Sequence, residues 1–252
     1  MDLLRNKIAL VTGSSRGIGA AIARLFAREG AKVAVHGRDR AALSAVKVAI
    51  ERAGGSAIEV VGDVTRFGEV EAMRSRIEEA FGPIDVLVAN AGGSFTKPGL
   101  IEETSEDGWR ASVEGNLTAT FLTIKSILPG MKQRKAGSII TISSAAGRKP
   151  HAQAPIPYSA AKAGIQILTQ DVAAQAGPCG IRVNCIAPEI ILTERNQQHI
   201  PEAQQSALSD QHPLRRLGTP DDVARAALFL ASENGEWITG IVLDVAGGNV
   251  ML

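Results

Sequence analysis

Short runs rich in Val and Ile alternate along this chain with longer stretches of helical period, and few folds accept that alternation. Runs as uninterrupted as IDVLVA at 84–89 suit strands covered on both faces, which means a parallel sheet with helices above and below it. The pattern predicts strands at 8–11, 32–36, 57–61, 84–89, 138–143, 182–186 and 241–245, and helices starting near Gly17, Asp39, Arg66, Ser105, Asn116, Pro157 and Pro220. No low-complexity linker divides them. Right-handed crossovers then build one α/β domain over 1–252, a doubly wound parallel sheet of seven strands with helices on both faces. Ligands of such sheets sit beyond the carboxyl ends of the strands.

With Lys+Arg 27 against Asp+Glu 26 in 252 residues, the chain carries almost no net charge, which argues against nucleic acid as a partner. No apolar run approaches the roughly 18 residues that cross a bilayer, so no membrane partner is expected. The segment 2–12 turns strand-like too soon for a signal peptide. Cys179 and Cys185 stand six apart with no His or Cys cluster around them, a spacing that suits neither a metal site nor a disulfide framework. Reduced, buried thiols in a cytoplasmic protein are the expectation.

At the end of the first strand, TGSSRGIG (12–19) supplies Gly13, Gly17 and Gly19 just before a helix. Glycines there let backbone amides approach a phosphate at a helix N-terminus. The spacing is GxxxGxG and departs from the GxGxxG fingerprint. Gly13, Ser15 and Gly17 also satisfy the GxSxG of serine hydrolases, but they fall on the first strand, and His151, His199 and His212 lie in polar, loop-like segments. Further on, Tyr158 and Lys162 stand four apart and share one face of a helix. An ammonium about 4 Å from a phenolate, at an effective dielectric near 20, is worth roughly 4 kcal/mol, or about three pKa units. This spacing predicts a phenol drawn down toward neutrality, where acid–base catalysis works best.

TGSSRGIG, the NAG of Asn90, Ala91 and Gly92, Asn116, Ser144, Tyr158 with Lys162, and ITGIVLDVAGG at 238–248 occur in one order. Together they resemble, over the whole chain, the short-chain dehydrogenase/reductase family, and most nearly its 3-oxoacyl-[acyl-carrier-protein] reductase-like subgroup. The resemblance implies a Rossmann-type fold and NAD(P)-dependent hydride transfer between an alcohol carbon and a carbonyl. It implies Tyr158 as the acid–base group and Lys162 as its pKa modifier and a partner of the nicotinamide ribose. Ser144 would hold the substrate oxygen, and Asn116 a water that links Lys162 to solvent. Aligning ITISSAAG by Gly147 selects Ser144 over Ser143, and with the other three present Asn116 is more than a helix N-cap. The cofactor would be bound by Gly13, Ser15, Arg16, Gly17, Ile18 and Gly19, by Asn90, Ala91 and Gly92, and by Tyr158 and Lys162. The segment with Pro188, Ile191 and Thr193 would hold the nicotinamide carboxamide. Asp63 and Val64 would meet the adenine, or Asp63 would cap the helix after Arg66.

The choice between cofactors turns on charge at the end of the second strand, VAVHGRDR, where the acidic residue that favours NAD is replaced by Gly37 and followed by Arg38. Arg38 and Arg16 offer two guanidiniums to a ribose phosphate, which predicts NADP(H) over NAD(H). Glu189 stands at the usual glycine of the family, where it either alters nicotinamide-side packing or touches substrate, or else faces solvent. The segment 189–213 takes the place of the substrate lid, and the polarity of its residues 194–212 leans toward a small substrate. A thioester on an acidic acyl carrier protein would need a basic patch. Lys132, Arg134 and Lys135 supply one candidate, and Arg148 with Lys149 another, while Cys179 stands where carrier-protein reductases tend to be basic. The reading is thus an NADPH-dependent carbonyl reductase, with an NADP-linked sugar or secondary-alcohol dehydrogenase, or a dinucleotide-sensing regulator, as alternatives. Relatives commonly form homotetramers.

Overall fold

The computed structural model describes residues 2–251. In chain order the elements are β1 (Ile8–Val11), α1 (Gly17–Arg28), β2 (Lys32–Gly37), α2 (Arg40–Arg52), β3 (Ser56–Val61), α3 (Phe67–Phe81), β4 (Val86–Ala89), α4 (Glu106–Val113), α5 (Ala119–Arg134), β5 (Gly137–Ile142), α6 (Ile156–Ala176), β6 (Ile181–Pro188), α7 (Glu194–His199), α8 (Glu202–Asp210), α9 (Pro220–Ala231) and β7 (Val242–Val245). The strands form one parallel sheet in the order β3-β2-β1-β4-β5-β6-β7. The order reverses between β1 and β4, the point at which such sheets bind ligands beyond the carboxyl ends of their strands.

Alternation along each strand feeds two cores. In β1, Ala9 and Val11 pack toward α1, α2 and α9, whereas Ile8 and Leu10 pack toward α3, α5 and α6. Both sets are almost wholly buried, so each Val, Leu or Ile contributes about 1.5–3 kcal/mol. This is why the strands read as unbroken apolar runs. Helix starts follow local chemistry: Asp39 accepts from Ala42 N at 3.1 Å, Ser105 from Gly108 N at 3.1 Å, and Thr219 forms a reciprocal capping box with Asp222.

The expected helix start near Asn116 is not there. Residues 114–118 form a π-helical turn that joins α4 to α5 as one continuous rod. Asn116 causes the widening: its Nδ2 donates to Ser112 O, one turn back, at 2.8 Å, and to Gly93 O at 3.0 Å. Single π turns of this kind often place a functional side chain. β6 also runs two residues past its expected end, because β7 pairs with it as far as Pro188 and Val245.

Candidate active site

At this reversal point the glycine loop follows β1. Gly13 and Gly17 have φ of 64° and 56°, a region that disfavours any side chain. A Cβ on Gly13 would lie 2.8 Å from Ala91 Cα, so the loop and the NAG segment touch through backbone. Asn90 Nδ2 donates to Thr12 O at 2.9 Å and Gly13 O at 3.0 Å, while Thr12 Oγ1 accepts from the amides of Asn90 and Ala91, both at 3.0 Å. The side chain of Asn90 therefore braces the loop. Asn116 is buried, and besides its two donations it accepts from Gly93 N at 3.0 Å, so both backbone groups of Gly93 are held.

At the N-terminus of α1, Gly17 N donates to the carboxylate of Glu194, 3.2 Å away. Thr193, which caps α7 by accepting from Asn196 N, lies against the same glycine: a Cβ there would be 3.1 Å from its Cγ2. An anionic oxygen thus sits on the first amide of the helix, as helix-end electrostatics favour. The loop is an anion cradle whose anion is supplied by the protein itself, and a phosphate suits the same place. Arg38 is exposed, and Arg16 pairs with Asp39 at 3.4 Å. Asp63 accepts from Thr65 N at 3.0 Å and Thr65 Oγ1 at 2.8 Å, which holds its carboxyl low. It forms a local turn and does not cap the helix after Arg66, which has no side-chain cap.

The candidate acid–base groups converge beyond β5 and β6. Tyr158 lies in the first turn of α6 and Lys162 one turn on, as the spacing requires. Lys162 Nζ lies 5.6 Å from the centre of the Tyr158 ring and donates to Ile142 O at 2.8 Å. Ser143 turns away, its Oγ donating to Lys162 O at 2.7 Å and accepting from Gln166 at 2.9 Å. Ser144 is thereby the serine that faces the Tyr158 hydroxyl, and its own Oγ accepts from Ala146 N. Strand alternation divides the two.

The expected lowering of the phenol does not occur. Desolvation pushes Tyr158 above its ordinary value of 10, with Glu189 adding to the rise and Ser144 opposing it. Burial also lowers Lys162 from 10.5 to about 8. Two desolvated groups disfavour their charged forms, and the ammonium lies against the ring and bonds to a carbonyl instead of the phenol oxygen. Between pH of about 8 and 10.5 the unfolded chain keeps a proton on this lysine that the folded protein has released. The stability contribution of Lys162 therefore rises with pH across that window.

Glu189 is not solvent-facing. Its side chain is 4% exposed, and Oε1 accepts from His151 Nε2 at 3.0 Å and Asn249 Nδ2 at 3.3 Å. The carboxylate raises the pKa of His151. The neighbouring basic pair is consumed in the same way: Arg148 grips Asp244 with two bonds of 2.9 and 3.0 Å, and Lys149 donates to Asn249 O at 2.6 Å. These two residues therefore form no outward basic patch. His212, expected in a polar loop, is buried with Nδ1 on Leu208 O at 2.8 Å. The side chain of His199 lies outside the described residues. Sequence reasoning also missed Thr12, Glu194 as an anion at Gly17, and His36, whose signal is a histidine closing an otherwise apolar strand. Both ring nitrogens of His36 are committed to backbone, so this histidine is no base for the GxSxG serine.

A family model described as enoyl-(acyl carrier protein) reductase matches residues 13–249. A (2S)-[(R)-hydroxy(phenyl)methyl]succinyl-CoA dehydrogenase subunit from Thauera aromatica is 36% identical over 97% of each chain. A 3-oxoacyl-[acyl-carrier-protein] reductase from Chlamydia muridarum is 38% identical over 98% of each. The crystal structure of a 3-oxoacyl-[acyl-carrier protein] reductase with bound NAD from Brucella melitensis aligns with a TM-score of 0.89 at 34% identity, covering 99% of this chain and 95% of that one. With its seven-stranded Rossmann-type sheet, the chain belongs to the short-chain dehydrogenase/reductase family, NAD(P)H-using oxidoreductases that interconvert alcohol and carbonyl groups.

Proposed function

We propose that the protein is an NADP(H)-dependent carbonyl reductase, with a 3-oxoacyl thioester as its leading substrate. The observation that carries this reading is the convergence of Ser144, Tyr158 and Lys162 beside an anion-binding glycine loop. Gly13 to Gly19 would hold the pyrophosphate, Asp63 and Val64 the adenine, Asn90 to Gly92 one wall, and Pro188, Ile191 and Thr193 the carboxamide. When bound, the nicotinamide supplies or accepts the hydride. Tyr158 presents a protonated hydroxyl at neutral pH, the form that gives a proton to a carbonyl oxygen, and Ser144 donates to the same oxygen as charge develops on it. Lys162 holds the ribose and, through a water kept by Asn116, returns a proton to the phenol. The polar segment 189–213 is the substrate lid. Homotetramer assembly through α5, α6 and the C-terminal strand accords with exposed Phe121 and Ile167 and with Trp237, just before β7.

Arg38 and Arg16 are assigned to the 2′-phosphate. Asp39 is no substitute for an NAD-selecting acid, because its carboxylate caps α2 and pairs with Arg16. That exposed ion pair is weak and yields readily to a phosphate. The test is the initial rate with an acetoacetyl thioester and NADPH or NADH. NADPH should dominate, and Arg38→Asp should move the ratio of the two kcat/KM values toward NADH by about 10- to 150-fold. An unchanged ratio would overturn the cofactor assignment.

A second prediction concerns Glu194. Because it occupies the Gly17 amide, Glu194→Gln should tighten NADP+ binding by about 2- to 10-fold in calorimetry. Weaker binding would show that the carboxylate does not compete for the cradle. The inward turn of Arg148 and Lys149 favours an alternative substrate class, sugars or small secondary alcohols, since it removes one carrier-docking patch. Silence toward the thioester with intact cofactor binding would select that alternative.

A further inference from the structure

His36 is the last side chain of β2 before Gly37, it is 2% exposed, and no step above uses it. Its ring joins two segments that have no other side-chain link to each other among the bonds described. Gly13 N donates to Nδ1 at 3.2 Å, and Nε2 lies 3.1 Å from Gly62 O. These partners settle the tautomer: an amide can only donate, so Nδ1 accepts, and a carbonyl can only accept, so Nε2 carries the hydrogen. The backbone of His36 is tied to the same loop, its amide donating to Ser14 Oγ at 2.9 Å and its carbonyl accepting from Ser14 N at 2.8 Å. Gly13 opens the glycine loop, and Gly62 immediately precedes Asp63 and Val64.

We propose that His36, as a neutral imidazole, is a positioning residue for the cofactor: it braces the phosphate loop at Gly13 against the adenine-side turn at Gly62, and protonation of the ring releases that brace. This inference rests on the reading that the glycine loop and the Asp63 turn hold a dinucleotide. Protonation turns Nδ1 into a donor facing the Gly13 N–H, and two donors cannot share that contact. The charged groups acting on the ring are Asp63, in the turn after β3, which favours the imidazolium, and Arg38, just beyond β2, which opposes it. Burial, with Arg38 acting the same way, outweighs the Gly62 bond and Asp63 and lowers the pKa from 6.5. The folded protein therefore resists a proton that the unfolded chain accepts, so the stability from His36 is present above pH 6.5 and is lost as pH falls through the lower folded value. Cofactor affinity should follow the same sign.

The experiment is calorimetric titration of NADP+ into wild-type, His36→Gln and His36→Leu protein from pH of about 7.5 to 4.5, with circular dichroism confirming the fold at each pH. A carboxamide offers one acceptor and one donor and does not titrate, so His36→Gln should bind within about threefold of wild type at the upper pH. As pH falls, wild type should lose affinity relative to His36→Gln by about threefold or more. Taking this ratio at each pH cancels ionisation of the cofactor's own phosphate. His36→Leu leaves the Gly13 amide and Gly62 carbonyl unpaired and should bind about tenfold more weakly than His36→Gln at every pH, so that its deficit against wild type narrows as pH falls. Should His36→Leu fail to fold, His36→Gln alone decides. Parallel wild-type and His36→Gln profiles would overturn the proposal, whereas no NADP+ binding to wild type at any pH would overturn the cofactor reading instead.

Discussion

Tyr158→Phe is expected to lower kcat by about 10³-fold or more while changing the dissociation constant of NADP+ by less than about twofold. The substitution removes one oxygen from a half-buried ring and leaves the packing of α6 as it was. The polar groups nearest the hydroxyl already hold other partners. Lys162 spends a hydrogen on Ile142 O, His151 is bonded to Glu189, and Ser143 donates to Lys162 O. Ser144 remains, but a serine hydroxyl that must lose its proton is a far weaker acid than a phenol. Steady-state rates on the carbonyl substrate, paired with cofactor titration, check this. A variant that keeps more than about a tenth of wild-type kcat would remove Tyr158 from the acid–base role.

Gly19→Ala is expected to abolish measurable cofactor binding and to lower Tm by about 4–10 °C, from overpacking of about 1–3 kcal/mol. The added methyl would overlap Gly13 O and stand 2.6 Å from Asn90 Nδ2 and 2.8 Å from Ser14 Cα. Two of those three atoms are backbone, so no rotamer change relieves the clash. Relief requires Gly13 to move, and Gly13 is held by Asn90 and by His36. Thermal unfolding and NADP+ calorimetry on the same sample test both halves. A variant with normal affinity would show that the loop has room the structure does not contain. Gly54→Ala is a useful contrast, because nothing lies within 4 Å of its added Cβ, although its φ of 84° still costs strain.

The two cores were legible because parallel strands buried on both faces leave unbroken Val and Ile runs, and each of the seven strands formed close to its expected place. The helix through Asn116 was not. An asparagine reads as a boundary in sequence, yet here its amide donates to Ser112 O, one turn back, and to Gly93 O, 23 residues away. Arg148 and Lys149 read as a candidate basic patch, but Asp244 and Asn249, some hundred residues on, draw them inward. Glu189 read as a bulky intruder at a glycine, and His151 and Asn249 give its carboxylate a buried home.

The sequence by itself determined the fold and the face that Tyr158 and Lys162 share, which follow from periodicity and short-range spacing, and the order of its motifs carried the resemblance to the family. Only the tertiary structure decided their charge states and their neighbours. The ammonium of Lys162 was expected to pull the phenol down, and burial pushed it up, because desolvation depends on everything packed around a group and not on its distance along the chain. The same holds for Glu194 at Gly17 and His36 at Gly13, contacts 177 and 23 residues apart in sequence that no local pattern records.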